Sequence, residues 1–238
     1  MVDSAAVPGR PRSRDAAGLP AVTPERIVSA ALELTAQHGL GSWTLRQLAA
    51  AVQAYPAVVY HHVGDREAVV SAVVDRVLGM YPLPPEDLHW REWFQRLFQE
   101  LRAVLIRYPG VARRLAVCGP TVSAAAPTVD RGMRVLQAAG FGDESAPVYR
   151  FLSNVACLLV SIEDEQRPHP DAVARISEAW SEYRDQPERP GLAAMGASVY
   201  EETADPLRRA SYFAGFFDYS MQRCLDGVAA RLGAISRR

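Results

Sequence analysis

The stretch TLRQLAAAVQAYPAVVYHHV, residues 44–63, decides the fold of this chain. Thr44 is followed three residues later by Gln47, and this spacing is the signature of a capping box that opens a helix. A tight turn at 52–55 and a second short helix at 56–61 follow. Two short helices joined so closely are typical of a helix-turn-helix, whose second helix enters the major groove of DNA.

Helix signals flank this stretch on both sides. Thr23, Pro24 and Glu25 read as an N-cap, a first-position proline and a first-turn acid, and Gly39 supplies the stop of this first helix. Asp65 caps a fourth helix that ends at Gly79. The sequence therefore predicts a compact helical unit at the N-terminal side of the chain.

The rest of the chain also reads as helix, so we predict an all-α fold: an N-terminal three-helix helix-turn-helix domain and a C-terminal helical bundle for ligand binding and dimerisation. Prolines 82, 84 and 85 form a stiff break after the fourth helix. The predicted helices beyond it are 87–107, 128–139, 144–166, 171–185 and 206–232, and we interpret 186–205 as a mobile connection. The predicted domains are a flexible basic arm over 1–21, a DNA-binding domain over 22–66 and a sensing and dimerisation domain over 67–238.

Composition favours a cytoplasmic protein. Hydrophobic residues make up 49% of the 238 positions, which is enough for a core, and no leader-like apolar segment opens the chain. The longest apolar run, 151–162, is too short for a membrane span, and we expect no membrane partner. Three widely spaced cysteines (Cys118, Cys157 and Cys224) read as reduced core thiols.

Charge alone does not identify a DNA-binding surface. The net charge is −1, and residues 23–66 contain three arginines against three acidic residues. The argument for double-stranded DNA therefore depends on geometry. The exposed edge of the helix-turn-helix offers side chains that reach base edges or phosphates, namely Arg46, Tyr55, Tyr60, His61 and His62.

These motifs resemble those of the TetR family of repressors. The matching pieces are a first helix ending in His38-Gly39, then TLRQLA, then VVYHHV, then Gly-Asp-Arg-Glu-Ala. The resemblance covers about 23–79 strongly, and it continues more weakly through 90–112 and 161–166, which look like the tetracycline repressor subgroup. It implies a homodimeric repressor that leaves its DNA operator when a small-molecule effector binds.

The resemblance also implies roles for single residues. Arg46 would contact a base, and Pro56, Ala57 and Val58 would face the bases as apolar surface. Tyr60, His62 and Arg66 would bind phosphates. Gln53 stands where the family often has glycine, so a left-handed turn conformation costs more here.

Alternatives to DNA contact remain open at this stage. The first four helices also suit an ordinary helical subdomain with Tyr60 and His62 on its surface. The arm segment GRPRSR (9–14) suits a narrow minor groove, but also a solvated tail. A small helical enzyme and a helical scaffold or protein-interaction module are the competing function classes, although no catalytic motif points to an enzyme.

Two heptad-like seams predict a helix bundle. The residues that we expect at a dimer interface are Leu152, Val155 and Leu159 in one helix and Ala214, Phe217, Met221 and Cys224 in the other. The resemblance implies that two such pairs form a four-helix interface between subunits. Spacing alone suits a seam within one subunit nearly as well.

The aromatic segment 87–107 suggests an effector cavity, although such a stripe also suits a plain core. The candidates for its lining are Trp93, Leu97, Leu101, Leu115 and Cys118. The resemblance implies that Leu97, Leu101 and Leu115 stand where the tetracycline repressors have an asparagine, a phenylalanine and a metal-binding histidine. A magnesium-chelated tetracycline would lose its polar partners here, which argues against tetracycline and favours a largely apolar effector. Its binding would shift the helix at 66–79 and so change the separation of the two recognition helices.

Consecutive carboxylates at 163–165, with His169 nearby, suggest a metal site. Neighbouring residues on a helix point about 100° apart, so these carboxylates cannot converge on one ion. We therefore predict neither a metal nor a cofactor.

Overall fold

The computed structural model describes residues 21–167, 170–203 and 206–237, and within these ranges the chain forms eleven α-helices and no strand. A 3-10 turn at Gly142–Glu144 precedes the eighth helix. The helices are α1 Pro24–His38, α2 Leu45–Ala51, α3 Pro56–Val63, α4 Arg66–Leu78, α5 Trp90–Leu105, α6 Val111–Cys118, α7 Val122–Ala138, α8 Ser145–Gln166, α9 Pro170–Ser181, α10 Pro190–Thr203 and α11 Pro206–Ile235. The all-α prediction is confirmed, whereas the arm segment 9–14 lies outside the described residues.

Local capping positions the first four helices as the sequence predicts. The Thr23 hydroxyl accepts a hydrogen bond from the Arg26 amide at 3.2 Å, and Asp65 accepts one from the Ala68 amide at 2.9 Å. In α2 both halves of the capping box form between Thr44 and Gln47. These bonds satisfy backbone amides that a helix start leaves without a partner.

A buried tryptophan holds these helices together. The Trp43 side chain is fully buried, and its indole N–H donates to the Thr35 hydroxyl at 2.9 Å. The hydroxyl in turn donates to the Ala31 carbonyl at 2.7 Å. The guanidinium of Arg66 lies over the other side of the ring, 4.8 Å from its centroid. Trp43 therefore joins α1, the α1–α2 turn and the start of α4.

The turn between α2 and α3 contains the residue that departs from the family pattern. Gln53 has a φ of +53°, the left-handed region that favours glycine. Its amide donates to the Ala50 carbonyl at 3.0 Å, closing the turn. The structure thus keeps the left-handed turn despite the cost of a glutamine there.

Helix α5 lies at the centre of the remaining bundle, where α4, α7, α8 and α11 pack against it. Eight of its side chains are buried: Trp90, Trp93, Phe94, Leu97, Phe98, Leu101, Val104 and Leu105. Gly132 on α7 permits a close approach by α8, because a Cβ there would lie 2.6 Å from a ring carbon of Tyr149.

Three predictions about the C-terminal helices need correction. The segment 186–205 is not a loop throughout, since α10 spans Pro190–Thr203 and packs on α9 and α11. Gly191 and Gly196 weaken the helix signal in the sequence. Gly196 is nevertheless suited to its place, because a Cβ there would lie 2.6 Å from the Trp180 carbonyl oxygen. Sequence reasoning also missed α6, and it placed the start of α7 six residues too late.

Two further predictions need correction: that no apolar segment is long enough to span a membrane, and that all three cysteines belong to the core. The segment Gly142–Gln166, with a mean hydropathy of 1.3, is long and apolar enough by composition to cross a membrane. Much of this helix is core, since Leu152, Ala156 and Val160 are buried on one side. Among the cysteines only Cys157 is buried, while Cys224 is half-buried and Cys118 is exposed.

We predict that Thr35→Val lowers the free energy of unfolding by about 1–3 kcal/mol, because the buried indole N–H of Trp43 loses its acceptor. In a Trp43→Phe background, which has no indole N–H, the same substitution is expected to be nearly neutral. Urea denaturation of the wild type, both single variants and the double variant measures this coupling. Equal costs of Thr35→Val in both backgrounds would show that the hydrogen bond contributes nothing.

Candidate DNA-binding face and effector cavity

One face of α3 is exposed and carries most of the predicted DNA-reading residues. Val59 is the buried residue of this helix, and Pro56 and Val58 are half-buried against the rest of the unit. Tyr55, at the N-cap, is 81% exposed and Tyr60 is 53% exposed. Ala57, His61 and His62 are exposed as well. The structure brings these residues together on one short helix, as a recognition helix requires.

Arg46 is exposed on α2, the helix before the turn. It is the arginine that α2 contributes, and its guanidinium can reach outward because the buried side of α2 is formed by Leu48 and Ala49. A free guanidinium at this position suits a fork to a guanine or a phosphate. We call the exposed surface of Arg46, Tyr55, Ala57, Tyr60, His61 and His62 the reading face.

Arg66 has a structural position that the sequence did not reveal. Its Nη2 donates to the Leu40 carbonyl at 2.8 Å, and its Nε donates to the Trp43 carbonyl at 3.4 Å. With its stacking on the Trp43 ring, the guanidinium secures the α1–α2 turn to α4. The predicted phosphate contact of Arg66 stays a prediction beside this role.

A cavity of about 450 Å³ lies in the C-terminal bundle between α4, α5, α6, α7 and α8. Four of the five predicted residues line it: Leu97, Leu101, Leu115 and Cys118. Trp93 does not line it, because its side chain is fully buried in the core and its indole N–H donates to the Pro84 carbonyl at 3.3 Å. The size of the cavity suits a small organic molecule.

The cavity has a polar wall that sequence reasoning missed. Its polar side chains are Tyr81, Thr128, Tyr149, Arg150, Ser153 and Asn154. The hydroxyls of Tyr81 and Thr128 lie 3.1 Å apart in a hydrogen bond. Burial raises the pKa of Tyr81 and of Tyr149 above the ordinary value for a tyrosine, and it raises the pKa of the Cys157 thiol to about 12. All three groups therefore stay protonated at neutral pH. The spacing of four residues between Tyr149, Ser153 and Cys157 was the sequence signal that could have placed these side chains on one face of a helix.

The three consecutive carboxylates of α8 bind three different groups. Glu163 pairs with Arg102 at 2.7 Å, and Glu165 pairs with Arg113 at 2.7 Å. Asp164 accepts a hydrogen bond from the Gly110 amide at 3.0 Å. Burial raises the pKa of Asp164 to about 6, although the Gly110 amide and Arg167 favour the ionised form. The three carboxylates do not converge on one point, and His169 lies outside the described residues.

The predicted dimer seams lie partly inside the subunit. Leu152, Phe217 and Met221 are buried, while Val155, Leu159, Ala214 and Cys224 are half-buried, because α8 and α11 pack on each other and on α5. Leu152, Phe217 and Met221 are therefore not available to a partner. A different apolar set is exposed on the same two helices, and we call it the apolar face: Phe151, Leu158 and Ile162 of α8 with Phe216 and Tyr219 of α11.

Two family models match the chain along nearly its whole described length. The model for bacterial regulatory proteins of the tetR family matches residues 27–73, which include the reading face. The model for the tetracycline repressor-like C-terminal domain matches residues 81–232, which include the cavity. The chain belongs to the TetR family.

Individual relatives of this TetR-family chain agree with the assignment. An HTH-type transcriptional regulator of Saccharopolyspora erythraea is 35% identical over 127 residues, which are 52% of each protein. The chain thus spans about half the length of the curated relatives it matches. The fold of Streptomyces coelicolor ActR in complex with actinorhodin superposes with a TM-score of 0.72 at 22% identity, covering 90% of this chain and all of ActR. BioQ with its double-stranded DNA operator superposes with a TM-score of 0.56 at 20% identity, covering 76% and 99%.

We predict that Arg66→Lys in this TetR-family regulator lowers the free energy of unfolding by about 1 kcal/mol, because an ammonium keeps the charge but not the two-carbonyl fork. Arg46→Lys, at an exposed position, is the matched control and is expected to leave stability unchanged. Thermal and urea denaturation measure both variants. If Arg66→Lys leaves stability unchanged, the two hydrogen bonds to carbonyls do not stabilise the fold. Phosphate binding would then remain as the explanation for an arginine at this position.

Proposed function

We propose that the chain is a cytoplasmic, homodimeric repressor that releases a palindromic operator when a small molecule occupies the cavity of its C-terminal bundle. Residues 22–66 would bind DNA, and residues 67–238 would bind the effector and the partner subunit. The observation that carries the proposal is the exposed reading face on α3 of a TetR-family chain. Ligand binding would lower operator affinity, and operator binding must weaken ligand binding by the same factor.

The reading face supports a base-contacting role. Its side chains include an arginine, two tyrosines and two histidines, and none of them is buried in the subunit. Because the segment 23–66 has no net positive charge, affinity would depend on correct placement of a few contacts more than on a broad cationic field. A partner subunit would double the number of base pairs read.

A gel shift with the DNA upstream of its own gene, repeated over a range of salt concentrations, tests the proposal. A helical enzyme or a protein-interaction module predicts no salt-dependent binding to a palindrome. Compounds that raise the melting temperature of the free protein are then added to the complex. If the protein is a ligand-responsive regulator, these compounds dissociate the complex. If they stabilise the free protein but leave the complex unchanged, the sensing role is wrong.

We predict that Arg46→Ala weakens operator binding by about 1–3 kcal/mol per half-site, because a fork to a base or a charge-assisted phosphate bond is lost. Arg175→Ala, an exposed arginine of α9 outside the reading face, is the matched control. Fluorescence anisotropy with the labelled operator at fixed salt measures both. Equal weakening by the two variants would show a nonspecific charge effect.

Dimerisation through the apolar face completes the proposal. Phe151, Leu158 and Ile162 recur at helical spacing on α8, beside Phe216 and Tyr219 of α11. Contiguous apolar side chains on the surface of a soluble domain mark interaction sites. The stripe lies one residue away from the seam predicted from the sequence, so two subunits would meet through it while Leu152 and Phe217 stay in the core.

We predict that Ile162→Glu raises the dimer dissociation constant at least about tenfold, because a charge would enter an apolar interface. Ile176→Glu is the control, since Ile176 of α9 is 52% exposed and Ile162 is 49% exposed. Sedimentation equilibrium measures both variants. Loss of the dimer in Ile176→Glu, with Ile162→Glu unaffected, would move the interface to α9.

The cavity lining supports an effector with an apolar body and several hydrogen-bonding groups. Leu97, Leu101 and Leu115 would surround the body, while Tyr81 and Tyr149 would face the polar groups. This composition modifies the largely apolar effector expected from the sequence. The ActR structure, whose complex holds actinorhodin, supports the idea that this fold accommodates a small organic molecule.

A further inference from the structure

The corner between α5 and α6, residues 106–110, is held from two sides. On one side the end of α8 binds it, since Arg167 Nη1 donates to the Ile106 carbonyl at 3.0 Å and the Gly110 amide donates to Asp164 Oδ2 at 3.0 Å. On the other side the amide of Leu40 donates to the Pro109 carbonyl at 2.8 Å. The corner therefore lies between the C-terminal bundle and the α1–α2 turn of the DNA-binding unit.

The contact with the DNA-binding unit is close and specific. Gly110 has a φ of +87°, and a Cβ there would lie 3.3 Å from the Leu40 Cβ. The carbonyl of Leu40 accepts the hydrogen bond from Arg66 that secures the turn to α4. A continuous set of hydrogen bonds thus runs from Asp164 through Gly110, Pro109 and Leu40 to the base of the helix-turn-helix.

Helices α6 and α8, which meet at the corner, also line the effector cavity. Gly110 is the N-cap of α6, which lines the cavity with Leu115 and Cys118. Asp164 follows Cys157, another lining residue, by seven residues on α8, so the two lie on one face of the helix two turns apart. A ligand that displaces α6 against α8 would act directly on the bond between Asp164 and Gly110.

Asp164 is costly to bury. The residue is 8% exposed, and its Oδ1 has no hydrogen-bond partner in the described part of the chain. The nearest cation is Arg167, with Nη2 at 3.9 Å from Oδ1. A carboxylate with an unsatisfied buried oxygen destabilises the fold, so the ionised group is hard to explain by stability alone.

We propose that Asp164 is a positioning residue that couples the effector cavity to the helix-turn-helix through Gly110, Pro109 and Leu40. The inference rests on the proposed function, because it needs DNA binding and an effector. An ionised Asp164 holds the Gly110 amide in a charge-assisted bond, and this bond fixes the α1–α2 turn against the bundle.

Protonation of Asp164 weakens this hold. The pKa of Asp164 is raised to about 6, so between pH about 4 and 6 the folded chain binds more protons than the unfolded chain. Protonation of this group therefore stabilises the fold as the pH falls. The same protonation weakens the hydrogen bond from the Gly110 amide to the Asp164 side chain. The titratable and charged side chains around Asp164 come from four packed helices: His38 of α1, Arg66 and Glu67 of α4, Arg113 and Arg114 of α6, and Glu163, Glu165 and Arg167 of α8.

The test compares Asp164→Asn with Glu165→Gln in the full chain. Both variants remove one carboxylate from neighbouring positions, but Glu165 pairs with Arg113 on the surface and does not touch Gly110. Two quantities are measured from pH 5 to 8, each as a ratio to the wild type at the same pH: amide hydrogen exchange at Gly110 and Leu40, and affinity for a duplex selected from a random pool. The ratio cancels every effect of pH that the wild type and the variant share.

At pH 8, Asp164→Asn is expected to speed exchange at both amides and to weaken duplex binding about fivefold, with both ratios approaching one at pH 5. Glu165→Gln keeps the Asp164 carboxylate and its bond to Gly110, so both of its ratios are expected to be close to one at pH 8. Ratios for Asp164→Asn that equal one at pH 8, or that do not change with pH, overturn the proposal.

The two proposals can fail separately. If the wild type binds no duplex, the proposed function fails, and the exchange ratios at Gly110 and Leu40 still decide whether Asp164 holds the turn. If the wild type binds DNA but Asp164→Asn behaves like Glu165→Gln, the coupling route fails and the regulator stands.

Discussion

The hydrogen bond from the Leu40 amide to the Pro109 carbonyl joins the DNA-reading unit to the bundle that encloses the cavity. Helix α4 runs along the chain from one into the other, and this bond adds a backbone contact between the α1–α2 turn and the α5–α6 corner. Trp43 makes the link rigid on one side, because its buried ring ties the turn to α1 and to Arg66. Gly110 permits it on the other side, because its φ of +87° favours glycine and a Cβ there would make a tight contact, 3.3 Å, with the Leu40 Cβ.

Helix α8 presents three different surfaces, and this division organises the C-terminal part. One side, with Leu152, packs into the core against α5 and α11. A second side, with Cys157 and Asp164, lines the cavity and holds the α5–α6 corner. The third side is the apolar face. Since the core, sensing and exposed surfaces belong to one rigid helix, a displacement at any of them is felt at the other two.

Sequence reasoning succeeded where the signal is local. The capping box at Thr44, the cap at Asp65 and the short helix predicted at 56–61 depend on contacts within a few residues, and the structure has all three, with the helix at Pro56–Val63. It failed where the signal is tertiary. Gly196 weakens a helix in isolation, yet the close packing of α10 on α9 calls for a glycine at that place. The polar wall of the cavity collects side chains from α4–α5, α7 and α8 that no spacing rule connects.

The sequence by itself determined the all-α class, the helix-turn-helix and the exposed positions of the side chains at its edge, because caps, turns and helical periodicity are properties of short segments. Only the tertiary structure decided which side of α8 is buried, since a heptad-like pattern has the same spacing whether its partner is inside the subunit or outside it. It also decided that Trp93 belongs to the core and that Arg66 supports a turn, because both depend on residues far away in the chain or on backbone carbonyls that no side-chain pattern reveals.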